Sequence, residues 1–290
     1  MKRALVDDFL QAVESPDDSP AVAALTVARI GYPRLEAGQW LSALDAHGEA
    51  ARMHLEVGVG GEPPRRARLR IISEFFFGQL GFVGNREQYE DPRNSFLNDV
   101  IARRMGIPIT LAVVFIEVAR RAGLTVEGLN FPGHFLMRCP PDPAEPDDPN
   151  SLILDPFHGG AILSDADCLR LLRTHAGAEA LMEPDMLQPA GKRAILLRML
   201  LNLKRAFVRV RSFDYAREVT DLLVALDPSA MTELRDRGLL ASHLRDYAAG
   251  LRDLETWLEL ASLHGEESQA EVKEIWDHVK VLRRRLASLN

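Results

Sequence analysis

Residues 132–156 decide the fold and read PGHFLMRCPPDPAEPDDPNSLILDP. Two short apolar runs within them, 135–139 and 152–154, have the length and composition of β-strands. The ten residues between Cys139 and Asn150 contain five prolines and four acids, which is typical of a solvated loop. The stretch therefore predicts a β-hairpin.

His134 and Asp155 fall at the open end of this predicted hairpin. If the loop is symmetric, the antiparallel register pairs the two residues directly, with Cβ atoms about 4.5–5.5 Å apart on one face. A carboxylate beside an imidazole fixes its tautomer and raises its basicity, as a general base requires. A structural surface pair is the alternative interpretation, and a one-residue slip would put the two side chains on opposite faces.

Helical patterns dominate the rest of the chain. Residues 110–122 are apolar on most sides and predict a central buried helix. From Ala161 onward the pattern predicts helices only. The expected fold class is α+β: a helix-rich domain with a small antiparallel sheet over residues 1–185, and an all-α domain over residues 190–290. The proline-containing stretch 183–191 is the expected linker.

The C-terminal region repeats weakly with a period of 32 residues. Asp214-Tyr215-Ala216 matches Asp246-Tyr247-Ala248, and Leu226 matches Leu258. Asp227-Pro228 then ends a helix, which is typical of tetratricopeptide repeats; an ordinary helical bundle is the alternative. Stacked helix pairs form concave binding surfaces, so the repeats predict a protein or peptide partner.

Composition excludes several classes of protein. The 290 residues carry a net charge of -7, which argues against a nucleic-acid partner. The two cysteines, Cys139 and Cys168, cannot form a disulfide framework or a four-cysteine zinc site. No apolar stretch is long enough to predict a membrane span, and the N-terminus does not resemble a signal peptide. We expect a cytoplasmic protein without a cofactor.

A nucleophile would complete the histidine–aspartate pair, and the start of a buried helix would activate it. The first turn of the helix after Pro108 offers one polar candidate, Thr110, and no cysteine. Cys139 is an odd number of residues from His134 on one strand and therefore faces the other way. Both cysteines are predicted to be core residues.

A metal site formed by His134, Asp155 and His158 is a further alternative. Asp155 and His158 are three residues apart, but Pro156 and Gly159 argue against a helix that would align them. We expect no metal on this reasoning.

Five motifs carry a resemblance to a known family. They are 91–98 (DPRNSFLN), 103–111 (RRMGIPITL), 119–124 (ARRAGL), 132–136 (PGHFL) and 154–157 (LDPF). Together they resemble the SirB family, whose members join a transglutaminase-like domain, of the papain-like superfamily, to tetratricopeptide repeats. The motifs cover most of residues 20–175, and the repeats extend the resemblance to about residue 260.

The resemblance implies a Cys-His-Asp triad and assigns its histidine to His134 and its aspartate to Asp155. The cysteine's place falls around Pro108 to Thr110, where this chain has none. One hypothesis is a pseudoenzyme, a non-catalytic binding or regulatory module. The other is a hydrolase or acyl transferase of altered mechanism, with Thr110 in place of the cysteine and Asn94 as a polar neighbour.

Overall fold

The fold was analysed in a computed structural model that describes residues 2–56, 63–264 and 268–288. Contacts divide the chain into two compact units, Gln11–Met199 and Leu200–Asn290 with Met1–Leu10. None of the helices within the described residues is long and apolar enough to cross a bilayer. The helices are α1 Lys2–Glu14, α2 Ala21–Ala28, α3 Ala37–Glu56, α4 Arg65–Ser73, α5 Leu97–Arg103, α6 Pro108–Arg121, α7 Asp165–Ala176, α8 Lys192–Arg209, α9 Phe213–Leu226, α10 Met231–His243, α11 Tyr247–His264 and α12 Gln269–Ala287.

The main sheet is a four-stranded antiparallel meander in the order β3-β4-β5-β6. Two further two-residue strands pair in parallel. The α+β class is therefore confirmed. The strands are β1 Val83–Gly84, β2 Met105–Gly106, β3 Glu127–Leu129, β4 Leu136–Cys139, β5 Leu152–Asp155 and β6 Ala161–Leu163.

Strand β6 corrects the prediction that only helices follow Ala161. Its residues pair with β5, Ala161 opposite Asp155 and Leu163 opposite Ile153. A three-residue strand has no periodicity of its own to detect, and it forms here because β5 offers an unpaired edge.

The hairpin forms as predicted, but its register differs by two residues. Met137 lies opposite Leu154, and Cys139 lies opposite Leu152. The connection is symmetric, as assumed, but it is longer than predicted, because Asn150 and Ser151 belong to it and move its centre. An even shift preserves the face on which each side chain lies.

Helix α6 is the central buried helix that the sequence predicts. Leu111, Val114, Phe115 and Val118 are completely buried. The Phe115 ring contacts the rings of Phe76 and Phe77 in the π-helical turn Glu74–Gln79, with centroid distances of 5.2 and 5.7 Å. Each such side chain contributes roughly 1.5–3 kcal/mol by leaving water. The N-terminus of α6 is therefore held firmly in the domain core.

Helices α9 to α12 pack in series in the second unit, each against the next. Arg211 and Arg245 adopt the same left-handed backbone conformation, with φ of 58° and 64°, just before α9 and α11. Equivalent turns at equivalent places indicate a structural repeat. Trp257 is the largest buried side chain of this unit's core.

Candidate functional site

His134 and Asp155 meet in the first unit, with 3.0 Å between Nε2 and Oδ1. Both residues are buried, with 7% and 3% of their surface exposed. Asp155 ends β5 and caps a 3₁₀ turn, Pro156–His158, by accepting backbone N–H bonds from Phe157 and His158. His134 precedes β4, so the two side chains meet diagonally rather than directly across the ladder.

Opposing effects determine the charge of Asp155. Burial alone would raise the pKa of its carboxyl group. The hydrogen bond and charge of His134, and then those of His158, outweigh burial and lower this pKa from 3.8 to about 2. Asp155 is therefore ionised at neutral pH and orients the His134 ring through Nε2. The Nδ1 atom of His134 has no hydrogen-bond partner within the described residues.

Two more imidazoles flank the pair. His158 Nδ1 lies 2.7 Å from Asp155 Oδ2, and its side chain is 47% exposed. The sequence-based objection to this alignment is wrong, because side chains three residues apart eclipse in a 3₁₀ turn and Pro156 fits its first position. The exposed His175 of α7 stacks on His134 with 6.1 Å between centroids.

In the sequence, only Gly133 indicates that another residue packs closely beside His134. Gly133 has φ of +70°, and a Cβ atom there would lie 2.3 Å from the Cβ of His175. A glycine directly before the site histidine therefore indicates a close neighbour without identifying it.

Thr110 and Asn94 contact each other and take no part in the hydrogen bonds of the histidine–aspartate pair. Thr110 is completely buried, and its hydroxyl donates to the Asn94 carbonyl at 2.7 Å while accepting the Ile107 N–H at 3.2 Å. The Asn94 amide donates to Gln88 and accepts from Asn85. Among the described residues, neither side chain bonds His134. The hydrogen bonds of both side chains join the segment around Asn94 to the start of α6.

Thr110→Val should lower the free energy of unfolding by about 2 kcal/mol, because it leaves a buried N–H and a buried carbonyl without their partner. Thr110→Ser keeps the hydroxyl and should stay within about 1 kcal/mol of wild type. Urea unfolding followed by circular dichroism measures both. Equal stability of the valine and wild-type proteins would contradict the capping role.

Neither cysteine resembles an activated nucleophile. Cys139 lies on β4 and Cys168 on α7, and both are buried, as predicted. Burial raises the pKa of each thiol from 9.0 to about 11. The reactive thiolate is therefore scarce at neutral pH.

Comparison with known proteins decides the family. Residues 38–201, more than half of the chain, match the transglutaminase-like superfamily. The chain belongs to this superfamily. Residues 203–275 of this transglutaminase-like protein match the tetratricopeptide repeat, which confirms the repeat prediction over an ordinary bundle.

Relatives share both parts. A UPF0162 protein of Xylella fastidiosa (strain Temecula1) is 38% identical over 243 residues, 82% of each chain. A UPF0162 protein of Vibrio cholerae is 31% identical over 216 residues, 74% of this chain and 78% of the other. These matches confirm the SirB-type organisation.

A eukaryotic relative shares a shorter region. F-box only protein 21 of Mus musculus is 31% identical over 182 residues, 61% of this chain and 28% of that protein. No solved structure matches this transglutaminase-like protein.

Proposed function

We propose that this protein is a non-catalytic transglutaminase-like module that binds a protein or peptide partner through its helical repeats. The main support for this proposal is the environment of the Thr110 hydroxyl group. Thr110 occupies the expected nucleophile position, yet its hydroxyl is buried and caps α6. A threonine whose hydroxyl is not hydrogen-bonded to a base is a weak nucleophile, and the thiols of Cys139 and Cys168 are buried elsewhere.

The second unit offers a surface suited to a peptide. An open cavity of about 330 Å³ is lined by Val208, Phe213 and Leu239, with Lys204 and Asp236 at its polar side. Lys204 is ion-paired to Glu233 at 2.6 Å and to Asp236 at 2.9 Å, so its positive charge is compensated. Val208 is 44% exposed. An apolar side chain of a peptide would bury this surface without separating the charges.

Amine incorporation tests whether the protein lacks transglutaminase activity. Purified protein is incubated with a glutamine-containing acceptor protein and a fluorescent amine, and wild type and His134→Ala should both stay at background. Iodoacetamide at pH 8 should label Cys139 and Cys168 slowly in the native protein and rapidly in urea, because burial raises both thiol pKa values. Wild-type incorporation that is lost in His134→Ala would overturn the proposal.

The binding half is tested with peptides selected by display on the intact protein. Val208→Asp should weaken binding of the selected peptides at least about tenfold, because it places a charge in an apolar contact. Val281→Asp is the matched control, since Val281 is 46% exposed on α12 and does not line the cavity. Equal affinity of wild type and Val208→Asp would contradict this surface.

One observation favours the alternative, a hydrolase or acyl transferase of altered mechanism. Asp155 orients His134 through Nε2, which leaves Nδ1 as the candidate base atom. An ester or amide hydrolysis that disappears in His134→Ala and Asp155→Ala and falls sharply in Thr110→Ala would establish this function instead.

A further inference from the structure

We propose that His134, Asp155 and His158 bind one Zn²⁺ ion. Each side chain offers a ligand atom, and the three atoms lie within 4.8 Å of one another. Two imidazoles and a carboxylate form a donor set that suits zinc. The inference goes beyond the peptide-binding function proposed above and does not depend on it.

The spacing of the donor atoms fits a small ion. Zn²⁺ bonds to nitrogen and oxygen are about 2.0–2.2 Å long, so neighbouring ligand atoms of a tetrahedral site lie about 3.3 Å apart. Asp155 Oδ1 lies 3.0 Å from His134 Nε2 and Oδ2 lies 2.7 Å from His158 Nδ1, and one ligand atom from each of the three residues lies within 4.8 Å of the others. The half-exposed ring of His158 can make the remaining adjustment with little loss of packing.

The charge at the site also favours a cation. The Asp155 carboxylate is 3% exposed, and its ion-pair partners within the described residues are two histidines, with no lysine or arginine. A buried carboxylate needs a compensating cation or a full set of hydrogen bonds. Each histidine offsets the carboxylate charge only while its ring is protonated, whereas a divalent ion would supply positive charge whatever the state of the rings.

Asp155 is already oriented as a ligand. Its Oδ1 atom accepts the N–H groups of Phe157 and His158, at 2.8 and 3.3 Å. These backbone bonds hold the carboxylate in place and leave Oδ2 for the ion. Partners of this kind orient metal-binding carboxylates and strengthen binding.

Binding requires a balanced exchange of protons. Each ring nitrogen that now faces the carboxylate gives up its hydrogen and coordinates the ion through its lone pair. A neutral ring takes this hydrogen at its other nitrogen, whereas a protonated ring already has a hydrogen there and releases the displaced proton to solvent. Three protein ligands leave the fourth tetrahedral position to water, and the exposed side of His158 gives the ion a path of entry.

The test uses tag-free, full-length protein stripped with a chelator. Calorimetric titration with ZnCl₂ should give one site per chain, and Co²⁺ should give the visible absorption of a nitrogen- and oxygen-ligated ion. His158→Ala should weaken Zn²⁺ binding at least about tenfold, the effect typical of disturbing a metal site. Because His158 is half exposed, this variant should fold even if Asp155→Asn does not.

His175→Ala is the matched control. His175 stacks on His134 but is not in the proposed ligand set, so its removal should leave Zn²⁺ affinity and stoichiometry unchanged. Absence of saturable binding by the wild type, or equal Zn²⁺ affinity of the wild type and His158→Ala, would overturn the site. Neither result bears on peptide binding, which Val208→Asp tests separately.

Discussion

Arg65→Ala is expected to lower the free energy of unfolding of the first unit by about 3–5 kcal/mol, because it leaves several hydrogen-bond acceptors without their donor, at about 1–3 kcal/mol each. Arg65 is 1% exposed. Its guanidinium donates to the carbonyls of Cys139, Pro140 and Asn150 and to the Asp148 carboxylate. Removal leaves these acceptors without a donor, and they lie at both ends of the β4–β5 connection.

The loss should extend to the functional site. The connection that Arg65 holds closes the hairpin, and the hairpin brings His134 to Asp155. Hydrogen exchange measured by mass spectrometry should therefore increase in β4 and β5 of Arg65→Ala before the unit unfolds. Arg65→Lys should recover only part of the stability, because one ammonium group cannot reach acceptors that are spread around a planar guanidinium.

Arg66→Ala provides the matched control. Arg66 is the next residue, its side chain is 58% exposed, and it lies 4.0 Å from the same Asp148 carboxylate. An exposed pair of this kind contributes little, so the expected change is within about 1 kcal/mol. Urea unfolding of both variants measures the difference. Similar destabilisation by the two substitutions would refute the specific role of Arg65.

Trp257→Ala is expected to lower the free energy of unfolding of the second unit by about 3–5 kcal/mol. The side chain is 1% exposed and belongs to a core cluster with Leu254, Ile275 and Val279 of α11 and α12. Truncation removes the largest side chain of that core and leaves a cavity. Far-UV circular dichroism during urea unfolding should show an early transition that is absent from the wild type.

Trp276→Ala makes the same chemical change on a neighbouring helix. Trp276 is 42% exposed, and its main specific contact is with the Arg283 guanidinium, 5.8 Å from the ring centroid. An exposed cation–π contact contributes about 0.5–1 kcal/mol, so the variant should remain close to wild type. If Trp276→Ala destabilised the unit as much as Trp257→Ala, the assignment of the core would be wrong.

Features that depend on a local pattern were predictable from the sequence. The two apolar runs around the acidic, proline-rich connection predicted the hairpin, and the all-round apolar character of residues 110–122 predicted buried α6. His134 and Asp155 were predicted to lie on the same face of the hairpin, and a register error of two residues does not change the face on which either side chain lies. The period of 32 residues predicted the repeats.

Features that depend on distant contacts were not predictable. Strand β6 forms because β5 offers an edge, and the true register depends on a connection that Arg65 fixes from another helix. The local pattern even argued against aligning His158 with Asp155, because a proline stands between them, whereas the 3₁₀ turn accepts it.

The sequence by itself determined which residues are present at the candidate site: a histidine, an aspartate and a threonine where the superfamily has a cysteine. Only the tertiary structure decided what each does. It buries the Thr110 hydroxyl in a cap and surrounds Asp155 with two imidazoles. The physical reason is that hydrogen bonds and charge compensation depend on neighbours that the fold supplies from other segments, whereas strand and helix periodicity is a property of the segment itself.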